Sequence, residues 1–277
     1  MTSSVKPLLP RSYLFVPGNR PERFDKALAS GADAVIIDLE DAVPPESKAE
    51  ARAALARWLA PDREVVVRIN APGTLWFGED VALCALAGVA AVMVPKAERV
   101  ADLQRIATVA VGSPLLPLIE TASGFDNARA LASVEGVQRL VFGSIDFQLD
   151  LGMQGDDELV AFRSQLVLVS RLAKLGPPAD GVTTSIDDVE AVERDTARAR
   201  RLGFGAKLCI HPRQVEAVNR GFAPTAQELA WARRVLDAAA QANGAAVALD
   251  GRMIDRPVML RAQAIVDEAE ARSKAPR

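Results

Sequence analysis

Charged side chains follow several short apolar runs of the sequence at the point where each run ends. Glu120 follows LLPLI, Asp146 comes shortly after LVF, and Arg68 closes VVVR. If these runs are parallel strands, their carboxyl ends meet at one edge of the sheet, where α/β enzymes carry their reactive groups. Two carboxylates without a nearby Cys or His favour a hard cation, and Mg²⁺ fits best. The sequence therefore predicts a magnesium site at Glu120 and Asp146, with Arg68 and Asp38 on the same rim. In the alternative interpretation, each carboxylate caps a helix or pairs with a lysine.

The first loop, PGNRPERFDK, is basic and leads into a predicted helix. It places Arg20, Arg23 and Lys26 beside a helix N-terminus, where phosphate groups bind. Three basic residues on a helix are also typical of a solvated face. Taken alone, the loop leaves both interpretations open.

The single histidine, His211, lies between Ile210 and Pro212 at the end of an apolar run. A histidine at such a position can act as a general base. No acidic partner that would orient it can be identified from spacing. We therefore expect His211 to have a structural role near the mouth of the sheet.

The elements that must position these residues show a regular alternation. Short β-branched runs are separated by segments of helical periodicity, which is the pattern of βαβ units and a parallel sheet. No G-x-G-x-x-G or Walker sequence follows the first run, and eight strands can close into a barrel without edges. We predict a single (β/α)8 TIM barrel with a C-terminal helical extension. The predicted strands are residues 13–16, 34–38, 65–69, 91–94, 115–119, 140–142, 181–184 and 206–210.

The chain has 277 residues, close to the ~250 of one barrel domain. We assign residues 1–222 to the barrel and 223–277 to a C-terminal helical arm. The arm starts with a capping box, Thr225 with Glu228, and carries the segment DGRMID. It either extends as an arm or packs beneath its own barrel.

Composition indicates a cytoplasmic enzyme. A net charge of -3 and 5% aromatic residues offer neither the field nor the stacking platforms of a nucleic-acid-binding protein. The longest apolar stretch, residues 81–95, is shorter than the ~20 residues that span a bilayer, and the N-terminus lacks the apolar core of a signal peptide. We expect no nucleic-acid or membrane partner, and we expect Cys84 and Cys209 to be buried free thiols.

Blocks of sequence in a fixed order resemble the citrate lyase beta subunit and malyl-CoA lyase group of the HpcH/HpaI aldolase superfamily. The resemblance extends from Arg11 to about Ile265 and implies the same barrel. The blocks are RSYLFVPGNRPERFDKA, DAVIIDLEDAVPPESKAEAR, VRINAPGT, VPKAE, LIETASG, FGSIDFQLDLG, IHPRQV and DGRMID.

The resemblance implies roles for particular residues. Glu120 and Asp146 match magnesium ligands, and Arg68 matches a substrate-binding arginine. Asp255 of DGRMID matches an aspartate that acts as an acid/base group in the active site of a neighbouring subunit, which implies an oligomer, commonly a homotrimer or homohexamer. The positions that match contacts to coenzyme A are Phe15, Arg20 and Lys26.

The implied activity is that of a magnesium-dependent carbon-carbon lyase. Its substrate would be a 3-hydroxyacyl-CoA thioester such as malyl-, citramalyl- or citryl-CoA, cleaved to or formed from acetyl-CoA and a small 2-oxo acid. Two local departures, Ser144 where relatives often have threonine and the proline-rich loop 176–180, leave the substrate open.

Three alternatives remain at this point. The chain could be a citrate lyase beta-type subunit that acts on an acyl-carrier-protein thioester. It could be a metal-dependent aldolase that acts on free hydroxy-oxo acids. From a different class, it could be a non-catalytic barrel that binds a thioester.

Overall fold

The computed structural model of the protein describes residues 8–241 and 247–274. Eight parallel strands follow one another around a closed barrel in chain order, and the last strand pairs with the first through Lys207 and Ser12. The predicted (β/α)8 fold is therefore confirmed. The strands are β1 (Ser12–Pro17), β2 (Ala34–Asp38), β3 (Val65–Arg68), β4 (Val89–Val94), β5 (Leu115–Ile119), β6 (Val141–Phe142), β7 (Ala179–Asp180) and β8 (Ala206–Cys209).

Helices connect these strands. Two of them are preceded by short 3-10 turns that begin with proline, at Pro21–Arg23 and Pro45–Ser47, as expected for a residue without a backbone N–H at a helix start. The helices of this unit are α1 (Phe24–Leu28), α2 (Lys48–Trp58), α3 (Phe77–Leu83), α4 (Val100–Val109), α5 (Ala122–Asp126), α6 (Ala128–Ala132), α7 (Ser144–Leu151), α8 (Val160–Leu172), α9 (Val189–Leu202) and α10 (Pro212–Phe222).

Alternation along the strands decides which side chains face the barrel axis. The apolar cluster inside the barrel takes every second residue of a strand, for example Ile36 of β2, Val66 of β3 and Leu118 of β5. Two residues further on, the same face carries Asp38, Arg68 and Glu120, because successive side chains of a strand point to opposite faces. The period of the strands therefore directs three charged side chains into the mouth of the barrel.

The seventh strand was predicted at the wrong place. It comprises Ala179–Asp180, and the β-branched run at 181–184 forms a loop. The carbonyl of Gly181 accepts a hydrogen bond from Lys207 Nζ at 2.6 Å. A Cβ on Gly181 would lie 2.3 Å from Oγ of Ser144. The chain therefore leaves the sheet at Gly181, where α7 lies against its backbone.

A buried ion pair holds the end of β7. Nε of Arg163 on α8 lies 2.8 Å from Asp180 Oδ1, and the two side chains are 1% and 0% exposed. We expect Arg163→Ala to lower the free energy of unfolding by about 3–5 kcal/mol, because Asp180 would stay buried without this partner. Arg99→Ala removes an exposed pair with Asp102 and should cost less than about 1 kcal/mol. Equal losses for the two variants in denaturant unfolding would contradict this assignment.

The described residues from 223 onward, with Leu8 and Leu9, form a separate compact unit. The predicted capping box is present: Thr225 Oγ1 accepts from the N–H of Glu228, and Glu228 Oε2 accepts from the N–H of Thr225. The helices pack through Ala232, Val235 and Ala262. The unit contains α11 (Ala226–Gln241), a hairpin of β9 (Val247–Leu249) and β10 (Arg252–Ile254), and α12 (Arg256–Lys274).

Within the described parts of the chain, no helix has the length and apolarity that crossing a bilayer requires. Cys84 and Cys209 are buried free thiols, as predicted. Burial raises the pKa of both thiols to about 12, which keeps them protonated and unreactive.

Candidate active site

A cavity of about 430 Å³ lies at the carboxyl ends of the barrel strands. Its wall contains both predicted metal ligands, Glu120 and Asp146. It also contains Arg68, Asp38 and Phe15, which come from three other strands. The structure thus brings the predicted acidic pair, the predicted substrate-binding arginine and one predicted coenzyme A contact to a single site.

Arg68 is fixed on three sides. Its Nε and Nη2 each lie 2.7 Å from one carboxylate oxygen of Asp38, its register partner on β2, and its Nη1 lies 3.0 Å from Glu40. The Phe15 ring lies 4.8 Å from the guanidinium carbon. Burial disfavours the charge, but Asp38, Glu40 and then Asp41 outweigh it and raise the pKa of Arg68 above its usual value. The guanidinium is a permanent, oriented cation.

Glu40 and Lys96 complete this charge network, although sequence reasoning gave them no role. The Nζ of Lys96 donates to Glu40 Oε1 at 3.1 Å, and Glu40 is buried. Burial raises the pKa of Glu40, opposed by the charges of Arg68 and Lys96. In the sequence both residues are polar positions that follow apolar runs, and spacing cannot show that one carboxylate lies between two cations.

Glu120 is buried at the end of β5 and is 2% exposed. Its Oε1 accepts the backbone N–H of Lys96 at 2.8 Å. Burial and the nearby Glu40 carboxylate raise the pKa of Glu120 to about 8, and Asp146 adds to the shift. A Cβ on Gly143 would lie 2.7 Å from Glu120 Oε2, so only glycine leaves room for this carboxylate.

Asp146 lies in the first turn of α7 and is half-buried on the wall of the same cavity. The Asp146 carboxylate contributes to the raised pKa of Glu120, after burial and Glu40. No group of three or more His, Cys, Asp or Glu side chains in residues 8–241 and 247–274 is arranged to hold a metal ion. Glu120 and Asp146 are two carboxylates on one cavity wall, a set that suits Mg²⁺ because this ion usually keeps water and substrate oxygens as further ligands.

The basic first loop lies at the surface. Arg20 and Lys26 are both exposed, and Arg20 lies 3.9 Å from Glu22 in a pair that is open to solvent. Such a pair contributes little and exchanges readily. Neither of these two side chains lines the cavity, whereas Phe15 does.

His211 and Asp255 both lie at helix starts. Nδ1 of His211 accepts the N–H of Arg213 at 3.2 Å, a local contact that supports the expected structural role. Oδ1 of Asp255 accepts the N–H of Val258 at 3.3 Å at the start of α12. Asp255 belongs to the C-terminal unit, so it is not among the residues that the barrel unit brings together.

Comparisons with known proteins identify the family of this chain. The HpcH/HpaI aldolase/citrate lyase family matches residues 11–212. The citrate lyase subunit beta-like protein of Deinococcus radiodurans is 38% identical, and the match covers 95% of this chain and 98% of that protein. The (3S)-malyl-CoA thioesterase of Cereibacter sphaeroides is 33% identical over 270 residues, which cover 94% of this chain and 95% of that protein.

A solved structure also resembles this chain. It is that of the protein CitE from Mycobacterium tuberculosis in complex with magnesium, acetoacetate and coenzyme A. CitE is 35% identical, superposes with a TM-score of 0.83, and the match covers 94% of this chain and 98% of that one. The resemblance found in the sequence is thereby confirmed: this (β/α)8 barrel belongs to the HpcH/HpaI aldolase/citrate lyase family and is a lyase.

Proposed function

We propose that the protein is a magnesium-dependent carbon-carbon lyase that converts a 3-hydroxyacyl-CoA thioester to acetyl-CoA and a 2-oxo acid, or catalyses the reverse condensation. One observation carries the proposal: a single cavity holds the carboxylate pair Glu120 and Asp146 beside the anchored cation Arg68. That combination suits a reaction in which an oxo acid is chelated and negative charge develops on a thioester. A relative binds magnesium, acetoacetate and coenzyme A, which supports the choice of ligands.

Glu120 and Asp146 are the residues that would hold the metal. Glu120 is buried near two further carboxylates, Glu40 and Asp146, and no backbone or side-chain contact offsets this enough to keep the pKa of Glu120 in its ordinary range. Two carboxylates on one cavity wall are oxygen ligands of the kind that Mg²⁺ prefers, and the ion would supply the positive charge that this acidic cluster lacks. When bound, Mg²⁺ would act as a Lewis acid toward the carbonyl and carboxylate oxygens of the oxo acid.

Arg68 would stabilise the charge that develops as the carbon-carbon bond breaks. In cleavage the substrate hydroxyl would lose its proton to solvent and become the carbonyl of the 2-oxo acid, while the electron pair of the broken carbon-carbon bond would remain on the acetyl thioester as an enolate. Asp38 and Glu40 do not occupy every N–H of the guanidinium, which leaves donors for a substrate oxygen. Because Asp38 and Glu40 hold the cation in place before substrate arrives, little reorganisation is needed during the reaction.

Asp255 would complete the reaction as the acid/base group. In its protonated form it would donate a proton to the enolate carbon and give acetyl-CoA. In the condensing direction its carboxylate would remove that proton, so one residue serves both directions. By analogy with the family, Asp255 would reach the cavity of a neighbouring subunit, which makes the active protein a homotrimer or homohexamer.

Phe15, Arg20 and Lys26 would bind the coenzyme A portion. Phe15 offers an apolar face inside the cavity for the thioester arm. The exposed Arg20 and Lys26 offer cations for the phosphates. Release of Arg20 from its solvent-exposed pair with Glu22 costs little, so the pair is no obstacle to this contact.

Product identification tests the proposal. The purified protein is incubated with MgCl₂ and malyl-, citramalyl- or citryl-CoA, and the products are identified by mass spectrometry. We expect acetyl-CoA and a 2-oxo acid from at least one thioester. Free CoA with the intact hydroxy acid would instead indicate a thioesterase, the activity named for the Cereibacter sphaeroides relative. Turnover only of acyl-carrier-protein thioesters would indicate a citrate lyase subunit, and binding without turnover a non-catalytic barrel.

Subunit mixing tests the role of Asp255. Asp255→Asn and Glu120→Gln should each reduce turnover by about 10²-fold or more, because each removes one part of the same site. If Asp255 acts in a neighbouring subunit, mixed oligomers contain some sites with both native residues. We therefore expect activity to return when the two inactive variants are co-expressed and purified together through different affinity tags. An inactive mixture that has formed hetero-oligomers would rule out the shared site.

A further inference from the structure

Lys96 has an unusual backbone conformation at the end of β4. It is one of three non-glycine residues with a positive φ among the described parts of the chain, at 45°. Left-handed backbone conformations are rare for residues other than Gly, Asn and Asp, and they persist where surrounding contacts fix them. Lys96 occupies this conformation at the edge of the candidate active site.

Contacts with the following β5–α5 segment fix this turn. The N–H of Ala97 donates to the carbonyl of Leu118 at 3.3 Å, and Thr121 Oγ1 donates to Glu98 Oε1 at 2.8 Å. A Cβ on Gly124 would lie 2.6 Å from the carbonyl oxygen of Ala97, so α5 packs directly on the turn. These contacts leave the backbone at Lys96 little freedom to relax.

The conformation lets one residue serve two parts of the site. The N–H of Lys96 donates to Glu120 Oε1 at 2.8 Å, while its Nζ donates to Glu40 Oε1 at 3.1 Å. The other oxygen of Glu40 lies 3.0 Å from Arg68 Nη1. Lys96 therefore links the carboxylate assigned to the metal with the carboxylate that holds the cation.

We propose that Lys96 is a positioning residue: its left-handed backbone aims Glu120 at the metal position, and its ammonium holds Glu40 against Arg68. The proposal rests on the proposed function, because it assigns tasks within that site. The backbone and the ammonium of Lys96 have different tasks in this proposal, and a single substitution would change both. The backbone should govern metal binding, and the ammonium should govern the interactions that Arg68 makes with substrate.

Two substitutions isolate these tasks. Lys96→Gly removes the ammonium but keeps the N–H in a conformation that glycine adopts readily. Lys96→Val also removes the ammonium, but a β-branched residue strongly disfavours a positive φ. A difference in ligand affinity between the two variants therefore measures the effect of the backbone conformation. A difference in ligand affinity between Lys96→Gly and the native protein measures the effect of the ammonium group.

Lys174 provides the matched control. It too is a lysine with a positive φ, at 59°, and it is exposed after α8 and does not line the cavity. Lys174→Gly and Lys174→Val repeat the same chemical changes away from the site. They should change the thermal stability of the protein but not its ligand affinities. They therefore measure how much the substitution of a lysine with a positive φ affects stability outside the site.

Calorimetry with MgCl₂, and then with glyoxylate in saturating MgCl₂, measures binding without turnover. We expect Lys96→Gly to keep the Kd for Mg²⁺ within about threefold of the native value. The same variant should bind glyoxylate about 10- to 100-fold more weakly, the usual loss when a residue that orients a binding side chain is removed. Lys96→Val should weaken Mg²⁺ about 10-fold or more relative to Lys96→Gly. Equal Mg²⁺ affinities for both variants, or native glyoxylate affinity in Lys96→Gly, would overturn the proposal.

Activity distinguishes this proposal from the function on which it rests. If the native protein binds Mg²⁺ and glyoxylate but cleaves no thioester, the proposed lyase reaction fails while the binding comparison still decides the role of Lys96. If the native protein binds neither ligand, both proposals fail. In an active enzyme, kcat/KM should fall about 10- to 100-fold in Lys96→Gly and stay within about twofold of native in Lys174→Gly.

Discussion

Removal of divalent metal is expected to abolish cleavage of the CoA thioester, and added MgCl₂ is expected to restore it. Glu120 and Asp146 both line the cavity, and the ion that they would hold would polarise the oxo acid. Loss of a preorganised electrostatic contribution of this kind costs about 10²- to 10³-fold in kcat. The measurement is turnover after dialysis against EDTA and after replacement of the chelator by MgCl₂.

A charge-removing substitution should reproduce the effect of chelation. Glu120→Gln keeps the shape of the side chain but loses its negative charge, so Mg²⁺ affinity and kcat should both fall by about 10²-fold or more. Glu135→Gln, at an exposed position near the amino-terminal end of β6, should change neither quantity by more than about twofold. Full activity in the presence of EDTA would remove Glu120 and Asp146 from the mechanism.

The fold was predictable because the relevant signals are local. Strands such as β2 and β3 are short β-branched runs whose side chains alternate, and a closed parallel barrel then follows from the number of such runs. The exception is β7, whose position was predicted wrongly because a tertiary contact decides it. The carbonyl of Gly181 accepts a hydrogen bond from the side chain of Lys207, which belongs to β8. A sequence run cannot report such a contact.

The site was predictable only at the level of strand ends. Because strand polarity brings the carboxyl ends together, Arg68, Glu120 and Asp146 could be grouped from the sequence. The roles of Lys96 and Glu40 depend on a left-handed turn and on a carboxylate shared by two cations, and neither leaves a mark on spacing. A lysine in a left-handed conformation at a strand end is visible only in coordinates.

Replacement of Arg68 should have the second large effect. We expect Arg68→Ala to lower kcat and kcat/KM together by about 10²- to 10³-fold, because the lost interaction is made mainly in the transition state. The substitution should also lower the free energy of unfolding by about 3–5 kcal/mol, because Asp38 and Glu40 stay buried without their shared cation. Steady-state kinetics and denaturant unfolding measure the two effects separately.

A control must show that the kinetic loss is more than a loss of stability. Arg139 is buried at the amino-terminal end of the barrel strands, where it donates to the carbonyls of Pro177 at 2.8 Å and Pro10 at 2.7 Å. Arg139→Ala should destabilise the protein through those unsatisfied carbonyls, yet leave kcat within about threefold of native at temperatures where the protein is folded. If Arg68→Ala and Arg139→Ala lose activity only in proportion to their unfolding, Arg68 is a structural cation. If Arg68→Ala is folded and slow, the cation that Asp38 and Glu40 hold in place acts on the substrate.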